Sequence, residues 1–171
     1  MLDNNTRIRS YVKEMKERQL LTYERLPDIE LYMEQMLSFF DKILPELKTS
    51  FDDKIVTNSM INNYVRDNVI EKPVNKKYSK EQISGLIKVL LLKNSLSLDE
   101  IKQLFNNKND YNEFCQKYDY IKESFIDSFN KRLDEAENDE NKLYDILLDL
   151  AIERTISSLI SQRLFKYLSQ N

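Results

Sequence analysis

A single glycine in 171 residues is the tightest constraint on what this chain can fold into. Glycine takes positive φ without steric cost, so hairpin turns, phosphate-cradling loops and the tight crossings of doubly wound sheets all draw on it. With only three prolines as further punctuation, sheet-rich architectures lack material, and an all-α fold is expected. The chain is no disordered tail, because 8 Phe and 10 Tyr supply the apolar mass for a core. The absence of His and the single Cys remove His-dependent triads, Cys/His zinc sites and any internal disulfide. No catalytic residue, cofactor or metal site is therefore expected, and the chain is read as a non-enzyme. No apolar run approaches the roughly 18 to 20 residues that span a bilayer, and the N-terminal stretch lacks a secretion-signal core. Those features predict a cytoplasmic protein with no membrane partner.

Periodicity supplies the helices. Ile8, Tyr11, Val12 and Met15 recur on one face of a first amphipathic helix. Ile29, Met33, Met36, Leu37, Phe40 and Leu44 predict a second, starting after Pro27 and limited by Pro45. Thr57 and Ser59 offer caps to a short helix with Ile61, Tyr64 and Val65 on its apolar stripe, and Asn68 is placed to end it in the left-handed conformation. Ser79 starts a further helix through Leu91, and Ser97 caps LDEIKQLF. After the polar break NNKND comes a long amphipathic helix carrying Phe114, Tyr118, Ile121, Phe125 and Phe129. In it Cys115 reads as a buried thiol rather than a nucleophile. The acidic run DEAENDEN lacks the glycine and ligand spacing of a calcium loop and reads as a solvated connection. The last helix, Lys142 to Leu168, has a wide apolar stripe that the chain's own bundle or the same helix of a second copy would satisfy.

Charge is segregated by sign. The net charge of −3 conceals a segment from Lys54 to Lys93 with eight cations against three anions, while the remainder holds 18 basic against 26 acidic residues. Within that segment the short helix turns Ile61, Tyr64 and Val65 inward, leaving Ser59, Asn62, Asn63 and Arg66 on the opposite face. Asn forks onto adenine N6 and N7, Arg onto guanine O6 and N7, and a hydroxyl at a helix start joins free backbone N–H groups around a phosphate. The competing reading of the same face is a merely solvated one. Lys80 and Lys88 either extend a phosphate track or are solvated lysines, and Arg66 has Asp67 and Glu71 as alternative partners.

The stretch TNSMINNYVRDNVIEKPVNKKYSKEQISGLIKVLLLKNSLSLDEIKQLF resembles the MerR-type winged helix-turn-helix of bacterial regulators. The matching positions run in order: Thr57 as cap, Ile61 and Tyr64 in the helix, Val69 and Ile70 before Pro73, Lys76 to Ser79 as wing, then Ser97, Leu98, Glu100 and Ile101. With LPDIELYMEQML upstream, the chain is also similar to an uncharacterised bacterial family, typical of Firmicutes, known as domain of unknown function 1836. The likeness extends from about residue 26 into the C-terminal helix. This chain departs from the regulator pattern in a wing of only VNKK, in Asn62 and Asn68 where Arg and Gly are usual, and in the long connection from Leu44 to Thr57. It has no obvious long dimer helix directly after the regulator domain and no metal-sensing Cys or His.

The resemblance implies a MerR-like helix-turn-helix core with a vestigial wing over residues 26–106, preceded by an amphipathic helix in 1–25 and followed by a helical, dimer-forming region in 107–171. It implies a sequence-selective transcriptional regulator binding double-stranded DNA as a homodimer. Thr57, Ser59, Asn62, Asn63 and Arg66 lie on the reading helix, with Lys76, Lys77 and Tyr78 on the flanking backbone. Tyr78 has two uses open to it, packing of its ring beneath the wing or contact of its hydroxyl with phosphate. The alternative function is a helical module that binds another protein through the same fold.

Overall fold

The computed structural model describes residues 4–48, 53–106, 110–137 and 139–169. Among these, seven α-helices and two short strands occur: α1 (Asn4–Glu17), β1 (Leu31–Tyr32), α2 (Met33–Ile43), α3 (Asn58–Arg66), β2 (Lys77–Tyr78), α4 (Lys80–Leu92), α5 (Leu98–Asn106), α6 (Tyr111–Ala136) and α7 (Glu140–Leu168). Parts of the expected polar connections, residues 49–52, 107–109 and 138, lie outside the described residues. The mainly helical class agrees with the expectation.

The chain divides into two compact units, Leu20–Asp119 and a second made of Met1–Gln19 with Tyr120–Asn171. These units end within about 15 residues of the boundaries expected near residues 25 and 106. The first turns of α6 carry Tyr111, Phe114, Cys115 and Tyr118, whose apolar faces join the Leu20–Asp119 core, so that unit ends later than the polar break implied. Cys115 is buried there, and its thiol lies 3.5 Å from the Leu21 carbonyl oxygen.

The core of the Leu20–Asp119 unit is built on α2, α3 and α4, where Met36, Phe40, Ile61, Ile83, Leu86, Ile87 and Leu90 have no exposed surface. α4 is apolar on nearly every side and is wrapped accordingly. Its one glycine, Gly85, has Ile70 Cδ1 only 3.1 Å from where a Cβ would stand, so a close approach of the segment after α3 explains the residue. The Ser79 hydroxyl accepts from Gln82 N–H at 3.3 Å, while Gln82 Oε1 accepts from Ser79 N–H at 2.8 Å. This reciprocal box sets the start of α4.

Two local expectations change. α2 begins at Met33 rather than just after Pro27, because Leu31 and Tyr32 pair antiparallel with Tyr78 and Lys77. A hairpin turn also forms without glycine. Val74 and Lys77 exchange both backbone hydrogen bonds, at 3.1 and 2.9 Å, across Asn75 (φ 50°) and Lys76 (φ 64°). Two successive positive φ values make this the tight hairpin turn for which Asn-Gly is the favoured sequence, here with Lys in the glycine position. Asn68, at φ 54°, ends α3 as expected: Val69 N–H reaches the Tyr64 carbonyl at 2.8 Å and Asn68 N–H reaches that of Val65 at 3.1 Å.

In the other unit the apolar cluster is small, with Leu133, Ala136 and Ile146 at its centre and Ile8, Phe129, Leu143 and Leu150 around it. Polar ties supplement it. Arg9 Nη1 meets Asp134 at 2.7 Å, Lys16 pairs with Asp127, Asn5 donates to the Glu137 carbonyl, and the buried Lys122 ammonium donates to the Arg18 carbonyl. α7 is capped by Asp139, whose carboxylate accepts from Asn141 N–H at 2.9 Å. Every residue of α7 from Ala151 to Ile160 is exposed.

Candidate nucleic-acid interface

α3 is a helix held at both ends. Thr57 stands in extended conformation as its N-cap, and its hydroxyl oxygen accepts from Met60 N–H at 3.3 Å. The Asn68 cap closes the other end. Ile61 and Tyr64 are buried and Met60 and Val65 half-buried, which fixes rotation about the helix axis and turns Asn58, Ser59, Asn62 and Arg66 outward. Asn63 is half-buried at the edge of that face. The carboxamides of Asn62 and Asn63 have no intramolecular hydrogen-bond partner among the described residues. The Arg66 side chain is 69% exposed, and its guanidinium contacts Asp67, with Nε 3.0 Å from Oδ1. Asp67 is thus the partner taken, rather than Glu71. An exposed pair of this kind is worth ~0–1 kcal/mol, so Arg66 exchanges partners readily.

The segment from α3 to the hairpin is pinned from α4. Gln82 Nε2 donates to the carbonyls of Glu71 at 2.9 Å and Lys72 at 3.0 Å. Sequence reasoning missed this role of Gln82, although Ser79-x-x-Gln82 carries the spacing of a capping box and was the available signal. The hairpin then presents exposed Asn75 and Lys76 beside an exposed Val74. Lys77 is half-covered, with its ammonium 5.1 Å from the centroid of the cross-strand neighbour Tyr32.

Tyr78 occupies the other face of β2 and is 2% exposed. Alternation along a strand sends its ring into the core, where desolvation raises the phenol pKa. Of its two expected uses, packing is the one observed. Tyr78 is withdrawn from the contact surface and supports the hairpin from beneath.

The cationic island also shrinks. Lys88 is half-buried, lies 4.2 Å from the Phe105 ring centroid, and has its pKa lowered by desolvation. Lys93 donates to the Ile55 carbonyl at 2.8 Å and is likewise shifted down by burial. Lys80 pairs with Asp28 and sits 5.0 Å from the Tyr23 ring centroid. The Tyr23 hydroxyl in turn donates to Glu81, a bond that pushes the phenol pKa up to about 12 and holds Glu81 below the usual carboxylate range. Lys80, Lys88 and Lys93 therefore serve the fold, and of the two readings left open for Lys80 and Lys88, a phosphate track or solvated side chains, neither describes them: both are engaged within the chain. Arg66, Lys72, Lys76 and the partly covered Lys77 remain around α3 and the hairpin, with exposed Lys54 preceding Ile55.

A family model spans residues 21–121, which matches the compact Leu20–Asp119 unit almost end to end and leaves out α1, most of α6 and all of α7. The chain belongs to the family described as Domain of unknown function (DUF1836). No curated protein and no solved structure matches the chain. The DUF1836 region thus contains every residue of the candidate surface together with the core that orients it. The long apolar stripe of α7 falls outside it.

Proposed function

We propose that this DUF1836 protein is a sequence-selective double-stranded DNA-binding transcriptional regulator of MerR-like helix-turn-helix type. In this reading α3 enters the major groove and the Val74–Lys77 hairpin turn lies on the adjoining backbone. The observation that carries it is the outward face of α3, where Ser59, Asn62 and Arg66 project from a helix capped at both ends, and the Asn62 carboxamide has no intramolecular partner among the described residues. Amides so placed find their donors and acceptors only in water or a ligand, and base edges carry the matching pattern. The order of elements supports the same reading: a short strand, α2, α3 and a two-residue turn, with the second strand returning to pair with the first. Thr57 keeps its hydroxyl proton for a phosphate oxygen while its oxygen caps the helix. Lys76, Lys72 and Lys77, whose ammonium also lies over the Tyr32 ring, supply backbone contacts.

Three or four phosphate contacts predict modest affinity with a salt slope, log Kobs against log salt, of about −3 to −4. Fluorescence anisotropy with labelled genomic fragments, repeated from low to physiological salt, tests this directly. Saturable binding that prefers some fragments and follows such a slope is the expected result. No binding even at low salt would remove the regulator reading.

A second reading is favoured by the internal use of Lys80, Lys88 and Lys93, which leaves few cations on an otherwise acidic chain. In it the α3 face and hairpin form a non-catalytic module that recognises a protein partner, with amides and one guanidinium as a polar rim.

A further inference from the structure

We propose that Tyr32 is a further DNA-contacting residue, whose phenol hydroxyl donates a hydrogen bond to a phosphate oxygen beside the Lys77 ammonium. This role rests on the DNA reading and fills the contact that the inward packing of Tyr78 leaves open.

The register of the ribbon decides which tyrosine faces outward. β1 and β2 pair antiparallel, with Leu31 opposite Tyr78 and Tyr32 opposite Lys77. Directly paired side chains share one side of a ribbon, and successive pairs alternate between its sides. Leu31 and Tyr78 are both buried and take the inner side. Tyr32 and Lys77 therefore take the outer side, where Tyr32 is 52% exposed. Val74 is bridged to Lys77 from the other edge, so that Tyr32, Lys77 and Val74 form a row across the hairpin. Among the described residues of the Leu20–Asp119 unit, the large apolar side chains exposed are Ile29, Tyr32, Val74 and Leu104. All but Leu104 belong to this ribbon or stand just before it, so the exposure is local and not a general property of the unit.

The chemistry of the row suits an anion. The Lys77 ammonium lies 5.1 Å from the centroid of the Tyr32 ring and makes no ion pair among the described residues. The Tyr32 hydroxyl donates no hydrogen bond among them. An O–H donor and an ammonium held by one ring offer two donors from a single surface, and a phosphate carries oxygens to accept both. The ring also positions Lys77, because a cation resting on a π face has fewer places to go than one in water. A neutral donor leaves a signature that no lysine shares. Its loss releases no counterion and reads no base, so affinity falls on every sequence while the salt slope stays as it was.

Fluorescence anisotropy with the full chain, on preferred and other DNA fragments across salt concentrations, tests the assignment. Tyr32→Phe keeps the ring and its contact with Lys77, and should weaken binding about five- to tenfold on every fragment with slope and preference unchanged. Tyr32→Leu removes the ring as well and should weaken binding about twofold further. Tyr78→Phe, on the inner side, should leave the dissociation constant within about twofold of wild type. A Tyr32→Phe protein that binds every fragment as tightly as wild type would overturn the contact and leave the DNA reading standing. A loss confined to preferred fragments would overturn phosphate as the acceptor, and a loss on Tyr78→Phe in place of Tyr32→Phe would return the contact to Tyr78. A wild type that binds no DNA would remove this role together with the reading beneath it.

Discussion

α3 and α7 both present large surfaces to solvent, but the surfaces are of opposite kinds. α3 buries its aliphatic and aromatic residues in the DUF1836 core and turns amides, a hydroxyl and a guanidinium outward. α7 buries little beyond Leu143, Ile146 and Leu150, and turns leucines, isoleucines and tyrosines outward. A polar face is stable in water and is free to exchange water for a ligand. An apolar face of that size is driven towards association, because removing it from water yields roughly 25 cal/mol per Å2. Exposure alone therefore says nothing about purpose until the chemistry of the exposed atoms is taken with it.

The contrast is sharpest at two isoleucines. Ile61→Ala, in the fully buried stripe of α3, should cost about 2–5 kcal/mol of unfolding free energy, whereas Ile156→Ala should change monomer stability by less than about 0.5 kcal/mol. Urea denaturation at sub-micromolar protein checks both, and equal losses would break the comparison. Next in size is the outward face itself. Asn62→Ala should reduce discrimination between preferred and other DNA sequences by about 1–3 kcal/mol with little effect on folding, measured by anisotropy on paired fragments. A uniform loss on all sequences would move Asn62 from base edge to backbone. Thr57→Ala removes the cap that orients α3 and should cost about 1 kcal/mol of stability.

Lys76→Gly separates fold from function within one residue. Relief of the left-handed strain should stabilise the fold by about 1 kcal/mol, while loss of the cation should make the salt slope shallower by about 1. A variant that is stabilised but binds with an unchanged slope would take Lys76 off the phosphate backbone. The smallest expected effect is on pH dependence. Burial raises the phenol pKa of Tyr64 and Tyr78 in the folded state, so these phenols ionise more readily unfolded than folded. Their contribution is intact below about pH 10, the unfolded value, and declines as pH rises towards the folded values. Tyrosinate absorbance followed with near-UV circular dichroism should show late tyrosines titrating together with loss of the core.

Legibility in the sequence followed range along the chain. The start of α3 at Thr57, its inward Ile61 and Tyr64, its left-handed stop at Asn68 and the cap at Ser79 are set by neighbours within four or five residues, and all were readable. The β1–β2 pairing was not. Leu31 and Tyr78 are distant in sequence, and two-residue strands carry no periodicity that distinguishes them from a helix start. The hairpin was missed for a different reason: scarcity of glycine is a statement about preference, and the paired strands impose positive φ on Asn75 and Lys76 despite it. At the candidate site, the polar identity of Asn62 and Arg66 was visible, whereas the diversion of Lys80, Lys88 and Lys93 to Asp28, Phe105 and the Ile55 carbonyl depends on contacts across the fold.

By itself the sequence determined a mainly helical chain, the inward and outward faces of α3, and a cationic segment inside an acidic chain, because periodicity, capping and charge are local properties. Only the tertiary structure decided which cations are engaged internally, that Tyr78 packs instead of reaching outward, and that many apolar side chains of α7 are left uncovered by the described residues of its own unit. Each of those outcomes depends on which distant groups arrive beside a residue, and burial, pairing and desolvation exist only once they have.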